Sequence, residues 1–302
     1  MVLRLSIPVP SHFNFWRTVY SHGWCSLLPF RVDKERGTFH RVLHLTDGSL
    51  ADCNIADSGR SLSVEVHSQA KPAPEQRREI RAQLKTCLRL EEDFVPFHTE
   101  ARRYPRYRWI SKAGVGRMLR APTVFEDLVK TICTTNCTWA LTTIMVHNLI
   151  GELGKKQSDG GPAFPTPQAM AGVSESFMRK HIKSGYRSPY LIEVANNVAT
   201  GRLDVESWRT SPLSTDELFE RIRSVKGMGP YAAGNLLRLL GRYDYLALDS
   251  WVRSQYYELH HKGRKVSDKT IERAYRKYGT WRGLFFWLEM TRYWFKKKFP
   301  EW

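Results

Sequence analysis

Two glycines and a proline interrupt two helical patterns near residue 228, and this segment has the composition of an anion-binding hairpin. It consists of Lys226, Gly227, Met228, Gly229, Pro230 and Tyr231. The glycines permit positive φ and leave backbone N–H groups uncovered, while proline suits the first position of a helix because its missing N–H costs nothing there. A helix N-terminus with exposed amides favours negative charge. The segment therefore predicts a phosphate site that positions a nucleic-acid strand without reading its sequence.

Asp249, a short distance downstream of the hairpin, is an acidic residue that could take part in chemistry. It follows an extended apolar stretch and precedes a helical pattern that begins near Ser250. The ordinary role of an aspartate at this point is that of an N-cap, in which backbone amides and the helix dipole stabilise the negative charge. If the carboxylate faces a cleft, it can also stabilise a developing cation or orient a water molecule. The residue type alone leaves both roles open.

The charge balance indicates a polyanionic partner. The chain of 302 residues contains 47 lysines and arginines against 30 aspartates and glutamates, a formal net charge of +17. Nucleic acid is the usual partner of such a protein, an anionic membrane surface is the second option, and a basic protein without a polyanionic partner is the third. No apolar run is long enough to cross a bilayer, so we expect no membrane span.

The cysteines favour free thiols over a disulfide framework. There are five of them, an odd number, and they are scattered along the chain. This usage is typical of a reducing compartment, and we expect a cytoplasmic protein. Cys133 and Cys137 have no second pair to complete a zinc site, and no four-cysteine cluster suits an iron–sulfur centre. The sequence therefore predicts no metal site of these kinds.

The chain divides into a predicted sheet domain and a predicted helical core, an α+β organisation. Residues 38–45 and 61–67 have strand patterns punctuated by turn residues at 47–48 and 57–59, and a short aromatic helix over about 13–22 leads in. Prolines at 72 and 74 mark a joint. We expect residues 1–75 to form an antiparallel sheet domain and residues 76–302 an all-helical core whose first helices can pack on the sheet.

Several helices of the core have recognisable starts. The pattern Thr-x-x-Glu or Ser-x-x-Glu, a capping box, occurs at Thr123 and at Ser214, and the second begins the helical hairpin over residues 214–240. A short polar run at 133–138 separates two apolar helices, and it fits a partner-binding loop or a plain helix–helix turn. Residues 102–108 hold four arginines, which fit a phosphate contact or a solvated basic loop equally.

Together, the hairpin, the helix after it and the approach to Asp249 resemble the helix-hairpin-helix DNA glycosylase superfamily. The resemblance covers most of the chain. Residues 131–136, 164–172 and 185–187 resemble the 8-oxoguanine glycosylase branch, and the N-terminal sheet domain resembles the one shared by that branch and by bacterial alkyladenine glycosylase, the 3-methyladenine DNA glycosylase II type. The resemblance implies a monomer that acts on double-stranded DNA containing a damaged or modified base.

The resemblance also implies roles for individual residues. The hairpin amides would bind the phosphates beside the lesion, with a monovalent cation at the hairpin carbonyls as an optional addition and no other cofactor. Asn136 matches the wedge residue that fills the space left by the extruded nucleotide, and base extrusion costs a few kcal/mol, which damaged or mispaired bases reduce. Asp249 matches the catalytic aspartate, which stabilises an oxocarbenium-like sugar and assists the attacking water.

Two departures from the family pattern affect the predicted reaction. Members that also cleave the strand have a nucleophilic lysine just after the hairpin, where this chain has Tyr231, and a phenol cannot form a Schiff base. Phe286 and Met290 stand where the 8-oxoguanine branch reads its base with a glutamine and a phenylalanine. We therefore expect a monofunctional enzyme that leaves an abasic site, with a pocket that differs from that branch.

An aromatic pocket is predicted for the extruded base. Trp139, Trp251 and Phe286 are the candidates to stack on it, which favours electron-poor alkylated bases, and core packing is the alternative for each ring. Two alternatives to the alkylated base remain. The enzyme could remove 8-oxoguanine, a deaminated base or a bulky modified pyrimidine such as phage DNA carries. From another class, the chain could be a DNA-structure-binding protein without catalysis.

Overall fold

The computed structural model describes residues 1–156 and 160–297, and the chain within it forms two compact units. The first unit is Met1–Asp204 and the second is Val205–Trp302. Residues 298–302, the end of the predicted helical core, lie outside the described residues, as do residues 157–159. The predicted domain boundary after residue 75 concerns a different division of the chain and stays a prediction.

The first unit begins with a five-stranded antiparallel sheet. Its strands are β1 (Val2–Pro8), β2 (Phe30–Asp33), β3 (Thr38–His44), β4 (Leu50–Asp57) and β5 (Ser61–His67), in the spatial order β1-β5-β4-β3-β2. The predicted strands at 38–45 and 61–67 are confirmed as β3 and β5. Strands β1 and β2 were not predicted. In β1, however, apolar residues alternate at residues 3, 5 and 7 of the sequence, which is the signal of a strand.

Helices make up the rest of the first unit. They are α1 (Phe15–Val19), α2 (Pro74–Leu88), α3 (Val95–Arg103), α4 (Arg108–Ala113), α5 (Val124–Cys133), α6 (Trp139–Leu153), α7 (Pro167–Ala171), α8 (Glu175–Phe177) and α9 (Ser188–Ala199). Short 3-10 turns lie at Gly23–Ser26, Pro105–Tyr107 and Gly185–Arg187, and one π-helical turn lies at Met178–Ile182. An antiparallel sheet followed by helices confirms the predicted α+β class.

A buried cluster of three charged residues joins the sheet to helix α5. Glu126 of α5 accepts hydrogen bonds from both terminal nitrogens of Arg41 on β3, at 2.8 and 2.5 Å, and from Lys130 Nζ at 2.7 Å. Burial alone would raise the pKa of Glu126, but the charges of Arg41 and Lys130 outweigh it and lower that pKa. The Phe30 ring lies beneath both cations, 4.4 Å from the Arg41 guanidinium and 4.9 Å from Lys130 Nζ.

Because of the same cluster, only half of the capping box predicted at Thr123 forms. The Thr123 hydroxyl accepts a hydrogen bond from the Glu126 N–H at 3.3 Å, as an N-cap should. The Glu126 carboxylate does not return to the N-cap backbone, because its two oxygens are bound by Arg41 and Lys130. The buried ion pairs thus replace the hydrogen bond from the N-cap backbone to the Glu126 carboxylate that would complete the capping box.

The second unit is helical among its described residues. After a 3-10 turn at Glu206–Thr210, it contains α10 (Thr215–Arg223), α11 (Pro230–Leu240), α12 (Ser250–His261), α13 (Asp268–Tyr275), a 3-10 turn at Arg276–Trp281 and α14 (Arg282–Lys297). The capping box at Ser214 is confirmed, because its hydroxyl accepts from the Glu217 N–H while the Glu217 carboxylate accepts from the Ser214 N–H. No helix within residues 1–156 and 160–297 has the length and apolarity of a membrane span.

The buried cluster predicts the effect of one substitution. Glu126→Gln keeps the shape of the side chain but leaves the buried charges of Arg41 and Lys130 without the carboxylate to which both are hydrogen-bonded. We expect the free energy of unfolding from urea titration to fall by about 3–5 kcal/mol, the usual cost of breaking a buried pair.

Glu65→Gln is the matched control. Glu65 pairs with Arg4 at 2.9 Å, but the two side chains are 41% and 80% exposed. Solvent screening limits such a pair to about 1 kcal/mol or less. If the free energy of unfolding fell equally in the two variants, the buried ion pairs of Glu126 would not be stabilising.

Candidate nucleic-acid interface and active site

The hairpin joins α10 to α11 in the second unit and uses one residue with positive φ. Gly227 has φ of 89°, which glycine adopts without steric cost, whereas Gly229 has φ of −70° and is the N-cap of α11. A Cβ atom at Gly229 would meet nothing within 4 Å. A glycine at this position therefore leaves the backbone open to an approaching group.

The predicted hairpin residues differ in their exposure to solvent. Lys226, Gly229 and Pro230 are exposed and Tyr231 is half-buried. The Met228 side chain is only 3% exposed and anchors the hairpin in the core. Any contact of Met228 with a partner must therefore use its backbone.

The backbone of the hairpin is partly committed to internal hydrogen bonds. The Met228 N–H donates to the Val225 carbonyl at 3.0 Å, and the Ala233 N–H donates to the Gly229 carbonyl at 2.9 Å. The amides of the first turn of α11 have no intrahelical acceptor, as at any helix start. Each of the two carbonyl oxygens keeps a second lone pair, and the monovalent cation at these carbonyls stays a prediction.

Asp249 is the N-cap of α12, as its position predicted. Its Oδ1 accepts a hydrogen bond from the Val252 N–H at 2.7 Å, and its own carbonyl accepts from the Arg253 N–H at 3.0 Å. The side chain is half-buried. The carboxylate is therefore held in one orientation at the positive end of a twelve-residue helix.

The extended segment that leads to Asp249 lies between two helix glycines. A Cβ atom at Gly234 of α11 would lie 2.7 Å from the Tyr245 ring and 2.9 Å from Ala247 Cβ. A Cβ atom at Gly283 of α14 would lie 2.8 Å from the Tyr243 carbonyl oxygen and still closer to that of Tyr245. The Gly283 N–H donates to the Tyr243 carbonyl at 2.7 Å. Close packing on both sides fixes the path of the chain into Asp249.

Arg238 is a charged residue of this region that the sequence reasoning missed. It lies seven positions after Tyr231 on α11, is 3% exposed, and places its guanidinium 4.4 Å from the centre of the Trp287 ring. Burial lowers the pKa of Arg238 to about 10, while Tyr231, Asp249 and Tyr243 act in the opposite direction. The available signal was an arginine inside the apolar run Leu-Leu-Arg-Leu-Leu, since an arginine is rarely buried without a partner.

The two predicted pocket aromatics of the second unit have different surroundings. Trp251, two residues after Asp249, is half-buried and contacts Trp294 and Trp287, with ring centres 5.1 and 6.3 Å apart. Phe286 is fully buried and packs edge-on against Tyr275 at 5.1 Å. The Phe286 ring therefore has the surroundings of a core residue, and its role in a base pocket stays a prediction.

In the first unit, Asn136 lies in a loop between α5 and α6 that several side chains hold in place. Asn136 is exposed, has φ of 46°, and donates a hydrogen bond to the Tyr186 hydroxyl at 3.3 Å. The buried Arg187 guanidinium donates to the Thr135 carbonyl and lies 4.5 Å from the Tyr186 ring centre. The polar run at 133–138 is thus an ordered loop that presents an amide side chain to solvent in a left-handed backbone conformation.

Trp139 is also in the first unit. Its ring is 43% exposed and stacks on Trp24 with ring centres 6.5 Å apart. A Cβ atom at Gly23 would lie 2.5 Å from the Trp139 ring, so the indole rests directly on the Gly23 backbone. The exposed face of Trp139 can stack on another ring, and its predicted place in a base pocket stays a prediction.

The packing around Asp249 predicts that Gly283→Ala is destabilising. The added methyl group would meet two backbone carbonyls, which cannot move as a flexible side chain can. We expect the free energy of unfolding to fall by about 1–3 kcal/mol or more. Gly151→Ala is the control, since a Cβ atom there meets nothing within 4 Å in the last turns of α6 and alanine favours a helix. An unchanged stability of the Gly283 variant would show that the segment before Asp249 is not held as described.

Comparisons with known proteins found relatives only at the level of structure. No family model matches the sequence, and no curated protein matches it.

Solved structures match the chain along almost its whole length at 19% identity. The 3-methyladenine DNA-glycosylase from Archaeoglobus fulgidus has a TM-score of 0.76, over 97% of this chain and 99% of that one. The 8-oxoguanine glycosylase/lyase of Clostridium acetobutylicum, in complex with double-stranded DNA containing cytosine opposite 8-oxoguanine, has a TM-score of 0.74, over 99% and 98%. A structure of MBOgg1 with a low-affinity DNA ligand has a TM-score of 0.75, over 96% of each chain. The chain therefore has the fold of the helix-hairpin-helix DNA glycosylases.

Proposed function

We propose that this protein is a monofunctional DNA glycosylase, which extrudes a damaged or modified base from duplex DNA and hydrolyses its N-glycosidic bond. The observation that carries the proposal is a carboxylate, Asp249, fixed as a helix N-cap on a tightly packed segment of a glycosylase fold. The phosphate-binding hairpin begins the helix α11 that packs on the same segment. Such an enzyme acts as a monomer on double-stranded DNA and leaves an abasic site.

The proposed reaction uses the fixed charge of Asp249. As the bond between C1′ and the base nitrogen breaks, its electron pair leaves with the base and the sugar becomes an oxocarbenium-like cation. The carboxylate stabilises this positive charge, and a water molecule adds its oxygen to C1′ while its proton passes to the carboxylate. Because Val252 already holds Oδ1 at 2.7 Å, the carboxylate does not have to reorient during the reaction.

The proposed wedge is Asn136. Its exposed amide and left-handed backbone are held by Tyr186, so the side chain is ordered before DNA binds. An ordered wedge lowers the entropic cost of inserting into the duplex. Extrusion of the base then costs a few kcal/mol, and damaged or mispaired bases cost least.

The proposed substrates are alkylated bases. Trp251, two residues after the N-cap aspartate, forms a group of neighbouring indole rings with Trp287 and Trp294, with ring centres 5.1 to 6.3 Å apart. Indole faces stack well on electron-poor rings. One of the structurally similar enzymes is named for 3-methyladenine and another for 8-oxoguanine. Other modified bases, namely 8-oxoguanine, deaminated bases and bulky modified pyrimidines, are the alternatives that the same lesion panel tests.

The central experiment is the substitution Asp249→Asn. Asparagine is as good an N-cap as aspartate, so the fold and the helix start should remain while the negative charge is lost. We expect base release from lesion-bearing duplexes, read as alkali-induced strand cleavage, to fall by at least about 100-fold. Binding to a duplex with an abasic-site analogue should change little.

Two outcomes would contradict the proposal. Base release by the Asp249→Asn variant at the parental rate would exclude the aspartate as the catalytic group. Tight binding by the parental protein without cleavage of any lesion on the panel would instead favour a DNA-structure-binding protein. Asp268→Asn, which alters an exposed ion pair with Arg253, is the control for a general loss of charge.

A second prediction concerns strand cleavage. Tyr231 occupies the position of the lyase lysine, and the only hairpin amine is that of Lys226, which is exposed at the hairpin tip. We expect borohydride to trap no covalent enzyme–DNA adduct during base release, whereas a known glycosylase/lyase is trapped under the same conditions. A trapped adduct that disappears in the Lys226→Met variant would show that the enzyme is bifunctional through that amine.

A further inference from the structure

Three exposed cations of the first unit lie on the pair of helices α3 and α4. Arg102 donates to the Ser111 hydroxyl and to the Thr99 hydroxyl, both at 2.9 Å, so its guanidinium bridges the two helices. Arg108 donates to the Arg102 carbonyl at 3.5 Å, and Lys112 lies one helical turn after Arg108 on α4. All three residues are exposed. We call Arg102, Arg108 and Lys112 the basic cluster.

The basic cluster differs from several other exposed cations of the first unit in its partners. Four exposed arginines elsewhere pair with carboxylates: Arg4 with Glu65, Arg36 with Asp33, Arg78 with Glu75 and Arg179 with Glu175. Within residues 1–156 and 160–297, no carboxylate forms an ion pair with a member of the basic cluster.

The nearest carboxylate in sequence is engaged by other groups. Glu100 accepts from Arg103 at 2.8 Å and from the Tyr104 hydroxyl at 3.0 Å, one on each oxygen. The guanidinium of Arg102 is held by hydroxyl groups, which fix its position without neutralising its charge. Two guanidinium groups and an ammonium group one helical turn away therefore lie on one pair of helices, without a carboxylate partner among the described residues.

We propose that the basic cluster is a second DNA-binding surface, which contacts backbone phosphates independently of the hairpin. The inference rests on the proposed function, since it takes duplex DNA as the partner. Guanidinium groups match phosphate geometry, and an ammonium group contributes a point charge. Contacts of this kind add affinity without sequence preference and release counterions from the DNA. The surface would hold the undamaged duplex beside a lesion and has no part in the chemistry.

The test is the salt dependence of binding to an undamaged duplex. In the triple variant Arg102→Gln, Arg108→Gln, Lys112→Gln, three phosphate contacts are lost. Since each contributes about 0.9 to the slope of log affinity against log salt concentration, we expect the slope to become shallower by about 2 to 3. The charge-preserving variant Arg102→Lys, Arg108→Lys should keep most of the parental slope.

A second triple variant is the matched control. Arg4→Gln, Arg36→Gln, Arg78→Gln lowers the net charge by the same amount but removes arginines that already have carboxylate partners. We expect its slope to stay within about 1 of the parental value, because each phosphate contact contributes about 0.9. A parental slope in the cluster variant, or equal losses in both triple variants, would overturn the proposal. The proposal would also be overturned by a cluster variant that keeps its DNA affinity but loses binding to phosphatidylserine-containing vesicles.

The rate of base release separates this inference from the proposed function. Under single-turnover conditions at saturating protein, the cluster variant should release base at the parental rate, because none of its residues acts on the sugar. A shallower slope together with no base release by any form of the protein would refute the glycosylase activity and leave the basic cluster as a DNA-binding surface. Failure of the parental protein to bind duplex DNA would refute both.

Discussion

The packing of the segment before Asp249 between Gly234 and Gly283 is the constraint on which the candidate active site depends. Neither position has room for a Cβ atom, because backbone and ring atoms of Tyr243, Tyr245 and Ala247 lie too close. Helices α11 and α14 therefore approach the segment from two sides at backbone distance. The hairpin starts one of these helices and the indole-rich stretch belongs to the other. One packing arrangement thus sets the positions of the carboxylate, the hairpin turn and the aromatic rings of α14.

In the first unit, buried charged residues position the loop that carries Asn136. Glu126, buried between Arg41 and Lys130, holds helix α5 against the sheet, and α5 ends at the loop that carries Asn136. A second buried cation, Arg187, donates to the Thr135 carbonyl in that loop. Buried charges of this kind contribute little net stability over apolar packing, but removing one partner is costly. Such interactions favour a single arrangement of the loop over several alternatives, and the wedge role proposed for Asn136 requires this order.

The sequence predicted the parts of the fold and of the site that depend on local chemistry. Strands β3 and β5, the capping box at Ser214, the proline start of α11 and the N-cap at Asp249 all follow from the preferences of residues near one another in the chain. Strand β1 has a period-two pattern of apolar residues but was not among the predicted strands. The expected capping box at Thr123 is only half formed, because its glutamate makes an ion pair with Arg41, 85 residues earlier.

The remaining features depend on contacts between residues far apart in sequence. Nothing local distinguishes Gly234 and Gly283, which allow close approach, from a glycine such as Gly151 with open space around it. Phe286 and Trp251 are both aromatic residues on helices, and only the packed structure separates a core ring from a half-buried one. Residue type identifies the candidates for a base pocket, whereas tertiary packing decides which of them have an open face.

Arg238 and Tyr231 connect the packing to the proposed chemistry. In glycosylases that also cleave the strand, the position of Tyr231 holds a lysine, which supplies a nucleophile and a positive charge together. Here the positive charge lies two helical turns further along α11, on a buried guanidinium over Trp287, where it interacts with Tyr231 and Asp249. A guanidinium stays protonated at neutral pH, so it cannot attack a sugar as an amine does. The cation that interacts with the carboxylate is therefore one that cannot act as a nucleophile, which agrees with the proposed hydrolysis by water.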